Sequence, residues 1–117
     1  MYRRAYSGAK GRANENGWTI MSKEEFVQLV NRAGGYCELT GRTFDDTAYT
    51  VPWRSKKPFK SYPWRPSLDR LDNMRGYEFE NVRLVNVEVN AALSYLPDEV
   101  FAEMCRAYVA KHGMSDS

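Results

Sequence analysis

The chain has 117 residues, one domain's length, and at that size a single core can bury roughly two thirds of the unfolded surface without disulfide staples. Hydrophobic residues make up 43% and charged residues 27%, which excludes a disordered chain, and no apolar run is long enough to span a membrane. The net charge of +2 hides a division: residues 1–65 hold 12 Lys/Arg against 6 Asp/Glu, whereas 66–117 hold 5 against 9, so a polyanionic partner is expected on one side of the molecule.

Residues 1–17, with three glycines, two asparagines, Arg3, Arg4, Lys10 and Arg12, read as a flexible basic arm, either incidental in its charge or in contact with nucleic acid; 18–117 read as a single domain. No secretory leader is expected in the opening Met1-Tyr2-Arg3-Arg4, and a reducing cytoplasm is the expected compartment. Ser22-Lys23-Glu24-Glu25 is a capping box, with Ser22 and Glu25 satisfying two orphan amides reciprocally. Phe26, Leu29, Val30 and Ala33 then recur at helical spacing until Gly34-Gly35, which predicts a core-packing helix over 23–33. Turn signals at Thr40-Gly41 and Asp45-Asp46 precede a loop that is basic, aromatic and rich in proline. Leu68–Leu71 alternates as a strand, a turn falls near Asn73–Gly76, and Val82–Val85 returns as a second strand. The pattern turns helical over about 86–96, breaks at Leu96-Pro97-Asp98, and resumes with Val100, Phe101, Met104, Cys105 and Tyr108 as a final amphipathic helix to about Lys111. The expected class is α+β.

The informative stretch runs Pro66-Ser67-Leu68-Asp69-Arg70-Leu71-Asp72, then Gly76-Tyr77, then Glu80-Asn81-Val82, with Asn90 further on. Read singly, these are common residues: the Asp-Arg-x-Asp string a surface ion-pair cluster, Asn81 a turn residue, Asn90 a solvated helix position. As an ordered set they resemble the HNH (His-Me finger, ββα-metal) endonucleases, in the branch common in phage genomes that reads Ser-Leu-Asp-Arg-Ile-Asp. The resemblance covers about residues 36–93 and takes in Cys37-x-x-Thr40-Gly41, similar to the family's Cys-x-x-Cys-Gly turn with one cysteine gone.

The resemblance implies a β-hairpin and helix that hold one divalent metal, Mg²⁺ or Mn²⁺, through Asp69 and Asn90, with Asn81 tying down the loop between the strands. A strand carboxylate and an amide oxygen on a facing helix suit a hard cation whose remaining positions are filled by water. Such an ion neutralises charge on the scissile phosphate and the leaving oxygen. Two departures stand out. Arg70 occupies the position of the family's general-base histidine, and a guanidinium takes no proton from water, although it can grip a phosphate. The only histidine, His112, falls at the far end of the last helix, leaving Asp72 and Tyr77 as nearer candidate bases. The zinc-binding cysteine pairs are reduced to Cys37, with Asn86–Val89 at the second position, so no structural zinc is expected and Cys37 reads as a small buried hydrophobe.

Upstream, Trp53–Arg65 carries five basic residues, four aromatics and no acid. Arg54, Lys56, Lys57, Lys60, Trp64 and Arg65 are the candidate DNA contacts, with Arg42, Arg75 and Arg83 extending the surface and Glu78 and Glu80 opposing it. The same stretch also reads as a loop anchored by its aromatics with solvated lysines. The leading expectation is a phage-borne, metal-dependent nuclease or nickase acting on double-stranded DNA. The alternative is an inactive binding module on that fold, an inhibitor or accessory factor of a host nuclease or of DNA. A third reading is a structural domain whose acidic last helix, with Asp98, Glu99 and Glu103, docks on a host or phage protein.

Overall fold

The computed structural model describes residues 1–53 and 56–113, Lys56 by its backbone alone. It is a small α+β domain. Helices α1 (Tyr2–Asn16) and α2 (Lys23–Ala33) come first. Two antiparallel strand pairs follow, β1 (Tyr49–Trp53) with β2 (Lys56–Ser61), and β3 (Pro66–Arg70) with β4 (Val82–Asn86). Helices α3 (Val87–Leu93) and α4 (Asp98–His112) end the described chain. Among the described residues no helix is long and apolar enough to cross a membrane.

Helix α2 forms where the capping box places it: Ser22 Oγ accepts from the Glu25 amide at 3.1 Å, Glu25 Oε1 accepts from the Ser22 amide at 3.0 Å, and Gly34 closes the helix in the left-handed region. It buries Phe26 and Leu29 against β4, whose Leu84 and Val85 are fully enclosed. The β3–β4 register pairs Leu68 with Leu84 and Asp69 with Arg83, so the buried leucines lie on one face and the Asp69–Arg83 pair on the other. Helix α3 packs back across both strands. It is shorter than the helical pattern over 86–96 suggests, ending at Ser94, whose φ is positive at 52°.

Two expectations are corrected. The basic arm of residues 1–17 is helix α1, lying along β3 with Ala5, Ala9 and Ala13 buried. Its packing stripe consists of methyl groups at i, i+4 and i+8, which bring the helix close without the large hydrophobes that usually signal a buried face. Tyr6 and Tyr2 complete the seat: the Tyr6 hydroxyl donates to the Met21 carbonyl at 2.8 Å, and the Tyr2 ring meets Phe44 edge-on. The loop before the motif contains the β1–β2 hairpin, in which Tyr49 pairs with Ser61, Val51 with Phe59, and Trp53 stacks edge-on against Phe59. Aromatic and β-branched residues supply its cross-strand contacts despite the prolines. The final helix has the expected position but no buried residue; Val100, Met104 and Tyr108 are exposed.

Candidate functional site

The loop between β3 and β4 is built around Asn81. This fully buried amide accepts from the Asp72 N–H at 2.9 Å and donates to the carbonyls of Asp72 at 3.1 Å and Gly76 at 2.9 Å. One side chain thus satisfies three backbone groups that no strand partner reaches. Gly76 is required because a Cβ there would stand 2.6 Å from the Thr19 carbonyl oxygen. The next residue, Tyr77, bridges to the 18–21 segment through Tyr77 N–H to Thr19 O and Met21 N–H to Tyr77 O, both 2.9 Å.

Beside this loop a cleft of about 400 Å³ gathers Asp69 and Arg70 of β3, Asn90 of α3, Tyr77, Asn73 and, from α1, Arg12. The strand carboxylate and the helix amide of the motif therefore open onto one space. Asn90 donates to Ser67 Oγ at 3.1 Å, which orients its amide across β3. Arg12 donates from Nε to the Tyr77 hydroxyl at 2.8 Å, so a cation expected in a flexible arm is held at the cleft by α1. Asp72 does not line this cleft; its Oδ1 caps the Met74 amide within the loop. His112 lies at the end of α4 against Tyr108.

Arg70 is held rather than free. Its Nη1 donates to the carbonyls of Asn73 at 2.8 Å and Arg75 at 2.9 Å, and its guanidinium lies 3.7 Å from the centre of the Trp18 ring. Nη1 is committed to the loop, so only the remaining guanidinium edge is available to an anion. Asp69 is held too: it accepts from Arg83 Nε at 2.8 Å, while Arg83 forms a second, two-pronged pair with Asp98 at the start of α4. Hydrogen bonding to Asp98, then to Asp69, raises the Arg83 guanidinium further above its ordinary range despite its partial burial, and the same contact lowers the Asp98 carboxyl. A second cleft, of about 420 Å³, lies on this side between the loop and the α3–α4 link.

Few protein donors face the cleft, so Mg²⁺ or Mn²⁺ there would depend on water and substrate phosphate for most of its shell. The one carboxylate in the lining is Asp69, engaged by Arg83 through Oδ2 alone, and Asn90 and Asn73 are its side-chain amides. Mg²⁺ is commonly bound through one or two carboxylates with substrate phosphate and water completing the shell. Among the described residues no cluster of three His, Cys, Asp or Glu side chains adds further ligands.

At the other end of β4, Cys37 is buried and its sulfur accepts from the Asn86 amide at 3.4 Å. The Asn86 side chain donates to the Trp64 carbonyl at 3.0 Å and lies 3.4 Å from Thr40 Oγ1, knotting the 37–43 turn to the end of β4. This buried polar junction was not visible in the sequence, where Asn86 stood only as a position without a cysteine.

The expected DNA contacts divide. Lys57 and Lys60 are exposed on the hairpin. Arg54 and the Lys56 side chain lie outside the described residues. Trp64 is stacked under Arg42 and donates to the Tyr49 hydroxyl at 3.1 Å; Arg65 pairs with Asp46 at 2.7 Å and stacks on Tyr62. Arg75 pairs with Glu80 at 2.9 Å, Arg42 with Asp45 and Arg83 with two aspartates, so these three carry compensated charge rather than an open basic surface. Arg4 and Arg12, expected in a flexible arm that is incidental in charge or touches nucleic acid, are instead fixed eight residues apart on α1. No protein-family model, no curated protein and no solved structure matches the chain.

Proposed function

We propose that the chain is an HNH-type, metal-dependent phosphodiester hydrolase that nicks double-stranded DNA. The observation that carries this reading is the convergence of Asp69, Arg70 and Asn90 on one cleft beside the Asn81-tied loop of a strand–loop–strand–helix unit. Asp69 and Asn90 would hold Mg²⁺ or Mn²⁺, which when bound supplies charge neutralisation at the phosphate and the leaving oxygen. The free edge of Arg70 and the Arg12 guanidinium attract and orient the phosphate. Arg70 takes no proton; of the two nearer titratable candidates only Tyr77 borders the cleft, and Arg12 fixes the direction of its hydroxyl.

The Arg83–Asp69 pair favours a second reading, a DNA-binding module without hydrolysis, because a guanidinium already neutralises the single carboxylate. Supercoiled plasmid incubated with Mg²⁺ or Mn²⁺ separates the two. The hydrolase reading expects nicking that stops in EDTA and in Asp69→Ala. A folded wild type that binds duplex but leaves the plasmid supercoiled would overturn it and leave the binding module.

A further inference from the structure

A third hollow, a groove of about 400 Å³, opens next to the Asp69 cleft and shares Arg12, Ser67 and Val87 with it. One wall is α1. Because Ala5, Ala9 and Ala13 face β3, the adjacent stripe of Arg4, Gly8 and Arg12 turns into the groove. The other wall is the end of the hairpin, with Lys60 and Tyr62, followed by Arg65. Gly8 keeps the middle open: a Cβ there would stand 3.3 Å from Arg12 Nη1. Among the described residues neither Arg4 nor Lys60 forms an ion pair, and Glu88 is the one acid in the lining. Arg4 and Lys60, free of ion pairs, together with Arg12 outweigh Glu88 in this lining, and such an excess of positive charge suits a polyanion that lies along the groove.

The spacing suits a nucleic-acid strand. Arg4 and Arg12 are separated by two turns, a rise of about 12 Å, which spans the axial rise of roughly three to four base pairs of duplex DNA at ~3.4 Å each. We propose that this groove seats the sugar-phosphate backbone of the DNA strand that continues into the Asp69 cleft, with Arg4 and Lys60 gripping it from opposite walls and Arg12 standing at the junction. This extends the DNA-acting reading above by naming the track along which the substrate is held.

The test is binding of a fluorescein-labelled 20-base-pair duplex, followed by anisotropy over a range of salt concentrations. Arg4→Ala and Lys60→Ala each remove one charge from the groove, and Gly8→Leu fills it without changing charge. Lys23→Ala and Lys111→Ala remove the same charge elsewhere. The groove variants are expected to weaken binding on the order of 3- to 10-fold, and the two charge removals to lower the salt slope by about one. The controls should stay within about twofold, and thermal unfolding should show every variant folded. Groove variants that bind like the controls would overturn the track even if the wild type nicks plasmid. Groove-dependent binding by a wild type that does not nick would support the track and sink only the hydrolase reading. A wild type that binds no duplex overturns the track. So does a polyglutamate peptide that binds as tightly as DNA and loses affinity equally in the groove variants, since the groove would then serve an acidic protein segment.

Discussion

Arg83 joins two aspartates that lie fifteen or so residues away on either side of it: its Nε donates to Asp69 across the β3–β4 pair at 2.8 Å, and its terminal nitrogens donate to Asp98 at 2.8 Å each. Asp69 and Arg83 are both largely shielded, with 11% and 16% of their side-chain surface exposed, whereas Asp98 is open to solvent. The same guanidinium therefore compensates the candidate site's carboxylate and tethers a helix that buries no side chain of its own. Arg83→Met should cost about 2 kcal/mol in urea unfolding, the scale of a shielded charged hydrogen bond. It should also loosen α4. Wild-type stability in that variant would show that the contact is not sustained in solution.

The tether has a pH limit whose direction follows from Asp98. Its carboxyl is held below the usual range by the Arg83 hydrogen bond, so the folded form binds its proton less readily than the unfolded chain. The contribution is fully present above the ordinary aspartate range near pH 4 and is lost as pH falls through the lowered value. A fluorophore on Cys105, which is exposed on α4 while Cys37 is buried, reports the helix directly. Its anisotropy should stay constant from pH 7 to about 4 and fall below that. In Arg83→Met it should be low already at neutral pH.

Asn81→Ala removes three hydrogen bonds and leaves the Asp72 amide and Gly76 carbonyl without their partner in a buried place. A loss of roughly 2–4 kcal/mol is expected. Because Arg70 leans on carbonyls of the same loop, nicking should fall more than duplex binding does, since the groove of α1 and the hairpin lies elsewhere. Equal losses in both would mean that the substitution acts only through global unfolding.

Gly76→Ala tests the loop from outside. The added methyl would meet backbone atoms of Thr19, which cannot rotate away, so the variant should lose about 1–3 kcal/mol and several degrees in melting temperature. Gly11→Ala, in open space on the exposed side of α1, should be neutral or slightly stabilising.

Arg70→His asks what position 70 does. The substitution gives up the Trp18 stack and the two loop carbonyls but places a titratable ring in the cleft beside Asp69. If the cleft hydrolyses phosphodiesters with only its base missing, plasmid nicking should rise, up to roughly a hundredfold. No gain in a folded, duplex-binding variant would count against the alignment of position 70 with the family's histidine or place the base elsewhere.

The parts of this protein that its sequence determined are those that rest on neighbours in the chain. The Ser22–Glu25 box and Gly34 bound α2 within the residues that form them, and the alternation at Leu68–Leu71 and Val82–Val85 placed both strands of the motif to within a residue or two. Period and caps are local, so they survive without a tertiary context. The seating of α1 depends on alanine methyls whose burial has meaning only against β3, and their weak hydrophobic signal left the segment looking like an arm. The hairpin over residues 49–61 was hidden by its prolines and charge, because its pairing is decided across strands rather than along one. Tertiary structure decided the long-range pairs. Arg65 and Arg83 meet acids brought to them by folding, whereas Arg42–Asp45 and Arg75–Glu80 are neighbours in the chain, and Arg4 and Lys60 come to line one groove. An ion pair depends on distance in space, and the chain order that lists both partners says nothing of that distance until the strands have paired.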